Sequence, residues 1–347
     1  MDNVNLSKEV LQQLVDQWNT NSRNVAGEVT FAGFNKLKPF KYGKELTNSA
    51  RSTFMNCQKK YEYSYIYGLA PRKTNIPFLV GGLFHDELEH MYKDKKLNIK
   101  AMEKRVSKAC EKACKYPGVL ADDSEKIWMQ QAIVTGMVKG YAAMYLKGDL
   151  TKYRVVETEG EFKTNINKEW VYRGKKDLVV SSIKTKKLYL VEHKTTAMIT
   201  AGYVGKLPMD NQILGYAWTQ KKSGKKFDGI IYNVTKKPGI KQRQTESLQQ
   251  FYKRVEEEYM LNPGAYFYRE TINFTDKDLL RFEEELKRFV GYIERAYSEN
   301  YFMQNAGHCN SMGICPFMQL CLNGVSKETL MNYRIKEKAH EELPDNE

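Results

Sequence analysis

Long hydrophobic runs are missing from this 347-residue chain. No apolar stretch approaches the ~20 residues that cross a bilayer, which argues against a helical membrane protein; no membrane partner is expected, although charge alone does not separate nucleic acid from an anionic membrane. The opening Met-Asp-Asn-Val-Asn offers no basic region followed by an apolar one, so a secretory leader is not expected. Cysteine is scarce as well: six residues are too few for a disulfide scaffold in a chain of this length, and a reducing cytoplasm with free thiols or a metal cluster is the better fit. Neither glycine, at 23, nor proline, at 9, is in excess, which excludes low-complexity architectures. What remains is a folded protein large enough for one sizeable domain or two smaller ones. Acidic side chains are outnumbered, 42 against 55 basic ones, giving +13 and a pI near 9.2. Such a surplus favours a polyanionic partner, because lysine and arginine release counterions when they neutralise phosphates.

The informative stretch runs from Trp170 to Thr195. Trp170-Val171-Tyr172, Leu178-Val179-Val180 and Leu188-Tyr189-Leu190-Val191 are rich in β-branched and aromatic residues, and the passage from Ser181 to Lys187 is polar. Two strands joined by a turn are predicted. A connection centred between Lys184 and Thr185 sets Asp177 opposite Glu192, within cross-strand reach of one another. Side chains alternate along a strand, so Lys194 shares the Glu192 face and His193 points away. Two carboxylates and a lysine suit phosphodiester hydrolysis: the acids bind hard cations such as Mg²⁺ or Mn²⁺, and the lysine orients water or neutralises developing charge. The acid-x-lysine pattern is common by itself, and Asp94-x-Lys96 and Glu285-x-Lys287 repeat it in helix-like contexts.

Around that hairpin the pattern alternates helices and strands. A short amphipathic helix is predicted over Leu6 to Trp18. An aromatic and basic helix carrying Cys57 runs from Asn48 to Leu69, ahead of Pro71. Gly81-Gly82 open a helix bearing His85, with Glu89 on the same face, and Asp86 pairs similarly with His90. Helical patterns over Ala101 to Lys115 and Ser124 to Leu146 read as an insertion, with Cys110 and Cys114 as ordinary thiols. A strand spans Tyr153 to Thr164, whose alternating Glu157, Glu159 and Glu161 share one face: one of them reaches the metal site or, the favoured reading, all three form a solvated edge. Met209 to Gln220 forms a helix with Gln212 and Tyr216 four apart on one face. Strands follow at Phe227 to Thr235 and Tyr266 to Phe274, separated by a basic passage, Lys236-Lys237-Pro238 to Lys241-Gln242-Arg243, that contacts phosphate or is simply solvated. A long amphipathic helix runs from Asp276 to Tyr301.

Half of the cysteines then fall between Cys309 and Cys321. Cys309, Cys315 and Cys321 need a fourth ligand to hold zinc or an iron–sulfur cluster, and either Cys57 or His308 supplies it. A Cys57 ligand would close a loop of roughly 250 residues like a clasp.

The order cysteine, histidine on a helix, Asp177, Glu192-x-Lys194, Gln212-x-x-x-Tyr216 and three closely spaced cysteines resembles the PD-(D/E)xK nuclease superfamily. It is most similar to the RecB-like branch with an iron–sulfur clasp, which includes the AddB nuclease domain and CRISPR-associated exonucleases. The resemblance covers about residues 48 to 323. It implies an α/β fold, a central mixed β-sheet flanked by helices in a restriction-endonuclease-like core, with a helical insertion and a metal-clasped N/C-terminal helical region. The corresponding organisation is an extension over 1–47, the cluster-ligand and histidine helices over 48–100, the insertion over 101–150, the nuclease core over 151–275, and the C-terminal helix with its cysteines over 276–347. His85, Asp177 and Glu192 are expected to hold Mg²⁺ or Mn²⁺. Lys194 is expected to assist the attacking water, and Gln212 and Tyr216 to contact the DNA end. Cys57, Cys309, Cys315 and Cys321 are expected to bind a structural 4Fe–4S cluster, with zinc as the alternative. The implied function is a DNA exonuclease acting on single-stranded or duplex ends in recombination, repair or phage DNA processing, in a cytoplasm and with recombination or repair proteins as partners. The chain departs from the family in two places. Five residues separate Cys309 from Cys315, and Gly174-Lys175-Lys176-Asp177 is one residue longer than the usual approach to the first acid, which a bulge would absorb.

Overall fold

A computed structural model describes residues 44–72, 76–115, 121–311, 313–336, 338–341 and 343. The helix predicted over Leu6 to Trp18, and all of the 1–47 extension before Lys44, lie outside the described residues. In chain order the elements used below are β1 (Lys44–Leu46), α1 (Asn48–Asn56), α2 (Gln58–Tyr61), β2 (Leu69–Pro71), α3 (Ile76–Lys93), α4 (Ile99–Cys114), α5 (Ala121–Tyr141), α6 (Lys147–Lys152), β3 (Tyr153–Asn165), β4 (Trp170–Ser182) and β5 (Leu188–Thr196). They continue with α7 (Ala201–Gly205), α8 (Asn211–Lys222), β6 (Gly229–Lys236), α9 (Leu248–Leu261), α10 (Pro263–Tyr266), β7 (Phe267–Ile272), α11 (Asp276–Ser298), α12 (Met318–Asn323), α13 (Lys327–Leu330) and β8 (Tyr333–Ile335). No helix among the described residues is long and apolar enough to cross a membrane.

Contacts divide the chain into two compact units. The sheet unit comprises Thr74–Phe162 and Lys175–Glu283. Its sheet runs β4-β5-β6-β7, with β3 paired to β4. β4 and β5 are antiparallel, β5 and β6 parallel, β6 and β7 antiparallel, so the sheet is mixed. The parallel step requires a crossover, and the segment carrying α7 and α8 supplies it. Period-two alternation distributes the strand residues between two layers. Leu178, Val180, Val191 and Ile231 pack with Phe84 and Leu88 of α3, Met102 and Val106 of α4, Val134 and Met137 of α5, and Phe251, Val255 and Tyr259 of α9. Val179, Leu190, Ile230, Tyr232 and Val234 pack with Ile213 and Tyr216 of α8. The α/β expectation of a mixed sheet flanked by helices therefore holds. The segment expected as an insertion contributes α4 and α5 to the same core as the strands. Cys110 sits within that core, where burial pushes its thiol up to about 11.

Helix α9 is absent from the sequence reading, although its signals are present. Ser247 and Gln250 form a reciprocal capping box, and Phe251, Val255 and Tyr259 recur four residues apart. Gly136 and Gly140 of α5 let this helix approach, because a Cβ at either would stand 2.7 Å from the Val255 or Tyr259 side chain. The basic passage before it is anchored: Lys237 donates to the Pro77 carbonyl at 3.0 Å, and Arg254 donates to the Lys241 carbonyl at 2.8 Å.

The second unit comprises the described residues of Met1–Lys73, Lys163–Gly174 and Glu284–Glu347. β1 pairs in parallel with Trp170–Tyr172, and β2 pairs antiparallel with β8. The single helix expected from Asn48 to Leu69 is interrupted. Thr47 caps α1, and Cys57 adopts an extended conformation (φ −164°, ψ 113°) before α2 begins. Leu69, Phe317, Leu320, Leu330 and Tyr333 form a small core against which Cys315 and Cys321 pack.

Candidate active site

Four elements of the sheet unit deliver the functional side chains. The β4–β5 ladder pairs Leu178 with Val191, Val179 with Leu190, Val180 with Tyr189 and Ser181 with Leu188, the register expected from the turn. Asp177 lies one residue before Leu178, the β4 member of the first of these pairs. Its carboxylate accepts the His193 backbone N–H at 2.8 Å, taking the place of a strand acceptor. α3 brings His85 to the same carboxylate, Nδ1 to Oδ2 at 3.4 Å. Hydrophobic anchoring of Phe84, Leu88 and Met91, all nearly fully buried, orients the helix with His85 toward the strands.

On β5, Glu192 is fully buried and its Oε1 accepts from the Lys194 ammonium. Lys194 also donates to Gln212 Oε1 at 2.7 Å. The Gln212 amide donates in turn to the Tyr216 hydroxyl at 2.7 Å, which donates to the Lys175 carbonyl at 2.9 Å. Asp210 caps α8 by accepting from the Gln212 and Ile213 N–H groups, which places Gln212 at the first turn, and Tyr216 follows one turn later. The six predicted site residues His85, Asp177, Glu192, Lys194, Gln212 and Tyr216 are thus brought together by α3, β4, β5 and α8.

The electrostatics follow from burial and crowding. Burial and the Asp177 charge both raise Glu192 above the usual carboxylate range, with Lys194 opposing. For Asp177 burial pushes upward too, but His85, His193 and Lys194 hold it well below that range. Burial works against a charged His85, yet Asp177 keeps it above its ordinary value. Burial drives His193 down to about 3, so its ring is neutral.

A divalent cation suits these residues. Glu192 Oε2 is buried with no hydrogen-bond partner among the described residues. His85, Glu159 and Asp177 bring ligand atoms within 4.8 Å of one another. Carboxylate oxygens with a single imidazole match the hard divalent ions Mg²⁺ and Mn²⁺. Glu192 is outside that closest trio and Glu159 is inside it. Glu159 corrects the expectation of a solvated edge: its side chain is only 15% exposed, and it pairs with Lys175.

Sequence reasoning also missed the polar cluster behind β5. Arg269 makes a two-pronged contact with Asp149 (2.5 and 2.9 Å) and donates to Asn233 Oδ1 at 2.5 Å. Tyr92 donates to Asp149 at 2.6 Å, and Asn233 reaches both Tyr141 and His193. These residues are scattered from position 92 to 269, and no local pattern joins them.

The four expected cluster cysteines all belong to the second unit and are free thiols of intermediate burial. Burial, together with the neighbouring Cys57, Cys315 and Cys309 thiols, pushes Cys321 up to about 11. His308, the alternative fourth ligand, engages the Ser311 hydroxyl at 2.9 Å.

A sequence comparison with curated proteins returns no match. A family model does match, that of the PD-(D/E)XK nuclease superfamily, over residues 45–322. The match runs through the histidine helix, the acid-bearing hairpin and the Gln-x-x-x-Tyr helix, and the chain belongs to the PD-(D/E)XK nuclease superfamily.

Proposed function

We propose that this chain is a divalent-metal-dependent deoxyribonuclease, and within that class an exonuclease that hydrolyses phosphodiester bonds at single-stranded or duplex DNA ends. The biological setting in this reading is DNA recombination, repair or phage DNA processing in a bacterial cytoplasm, with repair proteins as partners. The observation that carries it is the Lys194 ammonium gripped between Glu192 and Gln212 beside the His85–Asp177 pair. A lysine held that way has a fixed position and a fixed charge, which is what preorganised stabilisation of a phosphoryl oxyanion or an attacking water demands. His85, Asp177 and Glu192 hold Mg²⁺ or Mn²⁺ in this reading. The ion polarises the phosphate and acidifies water when bound. Asp177, kept ionised by its neighbours, offers a carboxylate at neutral pH. Gln212 holds Lys194 in place, and with Tyr216 it faces the DNA end.

The purified protein is expected to release nucleotides from linear DNA with Mg²⁺ or Mn²⁺ and to leave a circular single strand intact. Cleavage of the circle would make it an endonuclease of the same superfamily, and DNA binding without any cleavage would make it a nuclease-like assembly module.

Cys57, Cys309, Cys315 and Cys321 hold a 4Fe–4S cluster in the same proposal, with zinc as the other candidate. Three thiols close enough to help raise that of Cys321 favour a shared cation, because metal binding removes the proton that crowding retains. Anaerobically purified protein is expected to be brown with broad visible absorption. Cys57→Ser is expected to lower iron content and thermal stability while sparing the chemistry of the hairpin. Colourless protein with one zinc per chain would rule the cluster out.

A further inference from the structure

Glu159 stands apart from its neighbours on β3. Glu157, Glu159 and Glu161 alternate in sequence, but Glu159 has φ +51°, in the left-handed region that non-glycine residues seldom adopt within a strand. Gly160 follows it, and a Cβ there would collide with the Glu157 carboxylate. The excursion turns the Glu159 carboxylate to His85 and Asp177. Lys175 pairs with it, and Lys176 pairs with Glu157 at 2.8 Å. Both lysines of the lengthened approach to Asp177 therefore serve carboxylates of β3.

A second observation comes from His193. Arg269 Nε can only donate, so Asn233 Oδ1 accepts and Asn233 Nδ2 is the donor facing His193 Nδ1 at 3.4 Å. That assignment leaves the His193 proton on Nε2, which is buried and has no partner among the described residues. His193, only 3% exposed, lines one cavity with His85, Glu159 and Asp177. A buried N–H donor on a ring that lines this cavity with two carboxylates and an imidazole fits a cation that brings coordinated water oxygens with it.

We infer that Glu159 is a further ligand of the divalent ion, with Lys175 as the resident cation that neutralises its carboxylate until the ion arrives. The inference rests on the metal-dependent reading of the site. It is tested by titrating the full chain with Mn²⁺ and following free Mn²⁺ by electron paramagnetic resonance, so that no turnover is needed. Glu159→Gln is expected to weaken Mn²⁺ binding ten-fold or more, on the order seen when an acidic ligand or its support is lost. Glu157→Gln, one alternation away, is expected to bind as the unmodified protein does. Lys175→Met is expected to bind several-fold tighter, and it serves as the second test if Glu159→Gln does not fold. A Glu159→Gln affinity within two-fold of the unmodified protein overturns the inference, as does weaker or unchanged binding by Lys175→Met. Asp177→Asn separates the two levels. If it abolishes Mn²⁺ binding while Glu159→Gln leaves it intact, only Glu159 is removed from the site; if Asp177→Asn also changes nothing, the metal reading itself falls.

Discussion

Asp177→Asn is expected to lower DNA hydrolysis on the order of 1,000-fold or more while costing less stability than Asp177→Ala. The two effects separate because the carboxylate has two jobs. One oxygen accepts the His193 N–H at 2.8 Å, and an asparagine carbonyl oxygen does that equally well. The negative charge beside His85 and Glu192 is what an amide cannot supply. Asp177→Ala should show the same loss of activity and an added loss of about 1–3 kcal/mol, since it leaves a buried backbone donor unsatisfied. Single-turnover hydrolysis of an end-labelled oligonucleotide and urea unfolding of both variants read the two quantities. An active Asp177→Asn protein would remove Asp177 from the chemistry.

Asp149→Ala should be the most damaging single change to the fold of the sheet unit, at about 3 kcal/mol. Removing one partner of a buried ion pair typically costs 3–5 kcal/mol because the other charge is stranded, and the 23% exposure of Arg269 places this case at the lower end. Tyr92 loses its acceptor in the same step. The damage should pass to Asn233, whose Oδ1 accepts from Arg269, and from there to His193, whose N–H holds Asp177. Asp149→Leu combined with Arg269→Met, which removes both charges, is expected to recover most of the stability in denaturant unfolding. A single variant as stable as the parent would show that the pair is solvated and inconsequential.

Much of the sheet and part of the site were legible in the sequence because their determinants are local. Alternation of Leu178-Val179-Val180 and Leu188 to Val191 around one polar turn fixes the register, since a one-residue slip would turn every apolar side chain to the wrong layer. The i, i+4 relation of Gln212 and Tyr216 needs only a helix, and Asp210 starts one. The break at Cys57 was not legible, because the aromatic periodicity of Asn48 to Leu69 continues across it and only the extended backbone at that residue interrupts the helix. Cys110 packs in the apolar core of the sheet unit, while Cys114, one helical turn later, is only partly buried.

By itself, then, the sequence determined the strands and flanking helices of the α/β core, the hairpin register that leads to Asp177 and Glu192, and the basic character that suits a polyanion. Periodicity, turn chemistry and charge are properties of neighbouring residues and can be read without coordinates. Tertiary structure alone decided that Glu159 leaves its strand face for the site and that Arg269 and Asp149 brace His193 from behind. A left-handed backbone at a glutamate is unfavourable in isolation, and an ion pair between residues 149 and 269 exists only after the strands have assembled, so neither carries a local signal.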